Sequence, residues 1–196
     1  KKMKKQLKSL LAIAVAVSLG LGFTSCKKDD PEPKPEPTPT EGNYILNNAI
    51  AFNTGLLDVC DITLEFTGLD GKAVTKNVKD LPTKETTLGD KKYTMYVFEQ
   101  KETTKTIPAV TKVNITYTLK ADLPAEGKFD CYVAPDFYCG QRNAADTGWT
   151  SFADSNTAMS FGGIDVDKAS RIIESLTKTY SSFVLNIDKD GKPSVK

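Results

Sequence analysis

Between Tyr44 and Val133 the alternation of apolar and polar positions predicts mostly strands. Asp61-Ile62-Thr63-Leu64-Glu65-Phe66-Thr67 sets Ile62, Leu64 and Phe66 on one face. Leu69-Asp70-Gly71-Lys72 then signals a hairpin, because Asp-Gly suits the positive φ of a tight turn. Residues 92–98 alternate with a second face that Thr94 and Tyr96 make only partly polar. The cleanest strand is 113–119, with Val113, Ile115, Tyr117 and Leu119 inward, and 128–133 repeats the pattern. Near the end the period changes. Val166, Ala169, Ile173, Leu176 and Tyr180 recur at helical spacing, with Asp165 as the expected N-cap. A last hairpin follows, 183–187 and then Ser194-Val195, around the turn Asp190-Gly191. These elements predict a mainly β domain over 42–196: an antiparallel β-sandwich, immunoglobulin-like or transthyretin-like, with one C-terminal amphipathic helix. About 155 residues is an ordinary size for one domain and buries roughly two-thirds of the unfolded surface.

The first forty residues follow a different pattern. Lys1, Lys2, Lys4, Lys5 and Lys8 precede an uncharged run from Ser9 to Cys26, most apolar between Leu10 and Leu21. Such a core fits the ~7–15 residues of a signal peptide and falls short of the ~20 that span a bilayer. Further on, Pro31, Pro33, Pro35, Pro37 and Pro39 alternate with Glu, Lys and Thr, a composition that predicts an extended polyproline-II spacer. At ~3.1 Å per residue it projects the domain roughly 30–45 Å. The expected organisation is a leader over 1–25, a tether over 26–41 and the sandwich over 42–196.

At the junction the chain reads Leu21-Gly22-Phe23-Thr24-Ser25-Cys26, which resembles the lipobox of bacterial lipoproteins. Phe23 stands where that pattern prefers an aliphatic residue. The resemblance implies cleavage after Ser25 and acylation of Cys26, and several acyl chains anchor a protein where one holds it only marginally. Lys27-Lys28-Asp29-Asp30 is similar to the export signal of surface lipoproteins in the Bacteroidetes group, which implies display at the outer-membrane surface. Read instead as a solvated charge cluster, the same four residues leave the domain facing the periplasm. The membrane, through its lipid anchor, is then the first expected partner.

Charge and composition narrow the chemistry. The chain holds 26 basic and 25 acidic side chains, and losing the leader removes five lysines and no acid, leaving about −4. No basic face is indicated, so nucleic acid is not an expected partner. Histidine is absent, which excludes His-dependent triads and His-ligated zinc or haem. No catalytic constellation, metal site or cofactor is expected. Asp188-Lys189-Asp190-Gly191 reads as a hairpin turn, since the chain lacks the later acidic ligand of a calcium loop. An oxidising envelope permits disulfides, and Cys131 with Cys139 is the first candidate pair, with Cys60 bonded to either as the alternative. The stretch 130–152 gathers aromatics and amides: Tyr132, Phe137, Tyr138, Gln141, Arg142 and Trp149 are the candidate ligand-binding residues, with Phe152 and the polar Asn143, Asp146 and Asp154 nearby. Residues 140–160 lack clear periodicity and read as a long loop. Flat apolar faces beside hydrogen-bonding groups suit a carbohydrate. The expected function is a non-enzymatic module for a ligand or an envelope-protein partner. Glycan recognition in a nutrient-capture system, a fimbrial or adhesin-type subunit and a small hydrolase stand as alternatives.

Overall fold

The computed structural model describes residues 43–142 and 148–196. Cys26, the expected leader 1–25 and tether 26–41, and the polar residues Asn143 and Asp146 lie outside the described residues. Two antiparallel sheets pack face to face, as expected for a sandwich. The first is built on β1 (Tyr44–Asn53), which pairs over its whole length with β5 (Lys91–Thr104). β4 (Thr83–Leu88) lies outside β5. The other flank of β1 takes β7 (Lys128–Pro135) and β8 (Phe137–Arg142), edged by β10 (Met159–Asp165) and β9 (Trp149–Ser155) respectively. The second sheet runs β12 (Pro193–Val195), β11 (Ser182–Ile187), β6 (Ala109–Leu119), β2 (Cys60–Thr67), β3 (Ala73–Asn77).

The turns form as their sequences dictate. Gly71 and Gly191 adopt φ of 72° and 77°, left-handed values that cost a side chain with a Cβ. The helix α1 (Ala169–Tyr180) buries Ala169, Ile173, Leu176 and Tyr180, four of the five positions of the predicted stripe. Val166 belongs instead to a 3-10 turn over 166–168. Asp165 does not cap. Its carboxylate accepts from Lys128 and Lys168 at 2.6 and 2.7 Å, and these bonds hold its pKa down to about 2. α1 and β11 share one flank of β6, joined where Ile115 N–H donates to Ser181 O at 2.8 Å. The helix therefore occupies the place a longer β11 would have taken.

Leu46, Ile50, Phe52, Phe137 and Cys139 from the first sheet meet Ile62, Leu64, Val113, Ile115 and Leu185 from the second. Phe137 stacks on Phe183 with ring centres 3.9 Å apart, directly coupling the sheets. One polar link crosses the same space. Thr111 Oγ1 donates to Asn48 Oδ1 at 3.0 Å, both residues being buried, and Asn48 Nδ2 donates to Gln100 O at 3.4 Å. A buried amide without such partners would be costly.

The candidate disulfide Cys131–Cys139 is not formed, and all three described cysteines are free. Pro135-Asp136, a pair of residues common in turns, does not turn the chain here. Instead β7 and β8 continue in one register along β1, Ile50 facing Pro135 and Asn47 facing Tyr138, with Asp136 N–H donating to Ala49 O at 2.8 Å. Eight positions along an extended strand separate the two Cα atoms by roughly 26 Å. A disulfide needs about 4.4–6.8 Å.

Thr111→Val keeps the volume and strands the buried Asn48 oxygen. The expected cost is about 1–3 kcal/mol in denaturant unfolding, with an unchanged m value. A loss below 0.5 kcal/mol, within the ordinary surface-mutation range of about ±0.5 kcal/mol, would show that the link carries no stability.

Candidate functional site

Residues 137–142 do not open a long loop. They form β8, and β9 returns beside it, so much of the expected loop 140–160 is a hairpin followed by the start of β10. Polar and small residues hid these strands. Thr150, Ser151, Ala153, Ser155 and Ser160 give no apolar alternation, because edge strands face water on more than one side.

Alternation along 128–142 sorts the candidate residues onto two faces. Tyr138 and Arg142 point outward with Asp136 and Gly140, whereas Phe137 and Cys139 point into the core. Phe137 is therefore no ligand residue: it is fully buried and part of the inter-sheet stack. Tyr132 also points outward, yet it is buried in a separate small cluster with Tyr93 and Met95, its ring centre 5.5 Å from that of Tyr93. It too leaves the candidate set. Gln141 alternates onto the inner side, where its main-chain and side-chain oxygens accept from Thr150 Oγ1 at 3.3 and 3.4 Å. Tyr138, Arg142 and Trp149 are the ones brought together.

Their arrangement depends on a bulge and a glycine. The β8–β9 register shifts between Gln141 and Arg142, which places Trp149 opposite Arg142. The guanidinium lies over the indole, 5.0 Å from the ring centre, within cation–π range. Trp149 also covers Gly140. A Cβ there would sit 2.4 Å from Ser151 O and 3.2 Å from Trp149 Cε3, so the hairpin closes only over a glycine. Beside this pair Tyr138 meets Phe152, ring centres 5.7 Å apart at 33°. Phe152 is half exposed and Trp149 about one-third exposed. Phe152, outside the six candidate residues, lies opposite Gly140 in the middle of the patch.

Carboxylates border the aromatics. Burial pushes the Asp136 pKa up, and Glu99 and Asp154 add to the shift. The Tyr138 hydroxyl is raised mainly by burial, then by Asp136 and Glu99, with Arg142 acting in the opposite sense. Sequence distance concealed this grouping. Glu99 flanks Ala49 from β5 and Asp136 flanks it from the other side, so a small alanine lets two distant acids share one face. Among the described residues no group of Cys, Asp and Glu is placed to hold a metal ion. The patch offers flat apolar rings beside acceptor oxygens.

The thiols offer no chemistry there. Burial pushes Cys60 and Cys131 up to about 12 and raises Cys139, whose Sγ lies 3.4 Å from Ser194 O. A buried protonated thiol is inert. Comparison with protein families, with curated proteins and with solved structures finds no match for this chain.

In a Cys26→Ala chain, a thiol reagent at pH 8 should find no reactive cysteine in the native state. Three equivalents should react in guanidinium, where Cys60, Cys131 and Cys139 are released. Rapid native reaction would contradict their burial.

Proposed function

We propose that this chain is a lipid-anchored envelope protein, carried on Cys26 at the outer-membrane surface, whose sandwich binds a carbohydrate without transforming it. The observation that supports binding most directly is the Tyr138–Phe152 pair on the open face of β8 and β9. Sugar rings present C–H faces that pack on such aromatics, and their hydroxyls find acceptors in Asp136 and Asp154. Trp149, held by Arg142, extends the apolar floor. The anchor rests on the resemblance of Leu21–Cys26 to a lipobox, and surface display on Lys27-Lys28-Asp29-Asp30 behind it.

Two measurements test the two halves. Cys26→Ala should abolish labelling by a radioactive fatty acid and release the protein from membranes. Labelling that persists would refute the anchor. Trp149 is the sole tryptophan, so its fluorescence reports directly on the patch. A glycan array should return a defined carbohydrate class that shifts this emission. Tyr138→Ala and Phe152→Ala should each weaken that binding by about tenfold or more, or ~1.4 kcal/mol. An array without hits, or binding indifferent to both substitutions, would remove the carbohydrate reading.

A further inference from the structure

The chain passes from the second sheet to the first between β3 and β4, and that crossing is pinned at several points. Asn77 Oδ1 accepts from Lys79 N–H at 3.0 Å, and Lys79 Nζ donates to Asp61 at 2.7 Å. Val78 and Leu81 are buried, and Leu81 N–H donates to Val78 O at 3.1 Å. Pro82 then offers its carbonyl to Val97 N–H at 2.9 Å, and β4 begins at the next residue, Thr83, opposite Tyr96. Beside the crossing the two sheets leave a hollow of about 190 Å³, bordered by β3, the start of β4 and β5. Pinned walls make it a preformed space, as ligand sites commonly are.

Its lining is of two kinds. Leu81, Pro82, Val97 and Phe98 are apolar. Lys76 and Lys84 bring charge from different sheets, and Glu99 is the one acid among the lining residues, so a single positive charge is left over. Lys84 meets Glu99 at 3.7 Å, an exposed pair of little strength. Lys76 stands opposite Leu64, a core residue, and so shares its inward face at an open edge. The main chain adds a donor. Asp136 N–H donates to Ala49 O, so Ala49 bonds toward the β7–β8 run. Glu99, opposite Ala49 in β5, therefore turns its N–H and C=O the other way, as Val97 does toward Pro82. Because β4 starts opposite Tyr96, that edge is uncovered at Glu99, where the hollow lies.

We infer that this hollow binds a small organic anion, a single carboxylate on a short hydrocarbon tail. The tail lies against Phe98 and Leu81, and the carboxylate meets Lys76, Lys84 and the Glu99 N–H. Size sets one limit: the space equals about six waters at ~30 Å³ each, room for a short tail and not for a long acyl chain. Charge sets the other, since one unbalanced ammonium matches a monoanion and repels a cation. Neither Tyr138, Phe152 nor Trp149 lines the hollow, so the inference holds whether or not a carbohydrate binds at the aromatic patch.

Nuclear magnetic resonance titration of the isotope-labelled full-length Cys26→Ala chain tests it, with carboxylates from acetate to hexanoate as probes. The amide signals of Leu81, Val97, Phe98 and Glu99 should move and saturate. Each methylene that enters the hollow should tighten binding about fourfold, or ~0.8 kcal/mol. Hexanol and hexylamine, which carry the same tail without the anion, should bind at least about tenfold more weakly. Lys76→Glu and Lys84→Glu, both at exposed positions, should each weaken hexanoate binding about tenfold or more with unchanged circular dichroism. Four unmoved amides, an affinity indifferent to tail length, hexylamine binding as well as hexanoate, or full binding in both lysine variants would each overturn the site.

Discussion

Strand β1 has to be hydrogen-bonded along both flanks, and much of the structure follows from that demand. It is the first described strand and a central one of its sheet, with β5 on one side and the β7–β8 run on the other. Where the ladder fails, asparagine side chains complete it. Asn53 Nδ2 donates to Asp130 O at 3.0 Å and its Oδ1 accepts from Tyr132 N–H at 2.7 Å, continuing the contact where the β1–β7 ladder stops at Phe52. At the β7–β8 junction Asn47 Nδ2 donates to Asp136 O at 2.8 Å. Asn48, on the opposite face, reaches across the core to Thr111. Three buried amides in one strand keep its polar groups satisfied in a place where vacancies are expensive.

The same strand organises the surface. Because β7 and β8 share one register along β1, residues 130 to 142 form a single alternating series. Its outward members comprise Asp130 at one end, Tyr132 in the Tyr93–Met95 cluster and Tyr138 in the exposed patch. Alanines at 49, 51 and 134 keep the intervening floor low. Lys91 bonds Asp130 and lies 5.3 Å over Tyr93, tying the far end of the series to β5. The open face near Tyr138 is thus one end of a continuous surface whose other end is packed shut.

Legibility from the sequence tracked water exposure. β2, β6, β11 and α1 each have one wet and one dry face, so their apolar periodicity was plain. β9 and β10 have little dry face, and their residues read as a loop. Asn47-Asn48 interrupts the alternation of β1, and its reason lies in partners 52 to 89 positions away. Parity decided the candidate site. Phe137 and Tyr138 are adjacent in sequence and a sheet thickness apart in environment, so clustering along the chain pooled residues of both faces. Pro135 ends β7 without deflecting the run, so Cys131 and Cys139, close in sequence, lie far apart along one extended edge. No sequence signal announced the grouping of Glu99 with Asp136, which Ala49 permits.

The entry of the chain into β1 has a mechanical consequence. A pull applied at Asn43 acts along the strand axis, while the bonds to β5, β7 and β8 run across it. The load is then shared in shear by both ladders at once, and no single end bond opens first as in a peeled hairpin. A head held by such a strand resists drag through the full length of its innermost seam.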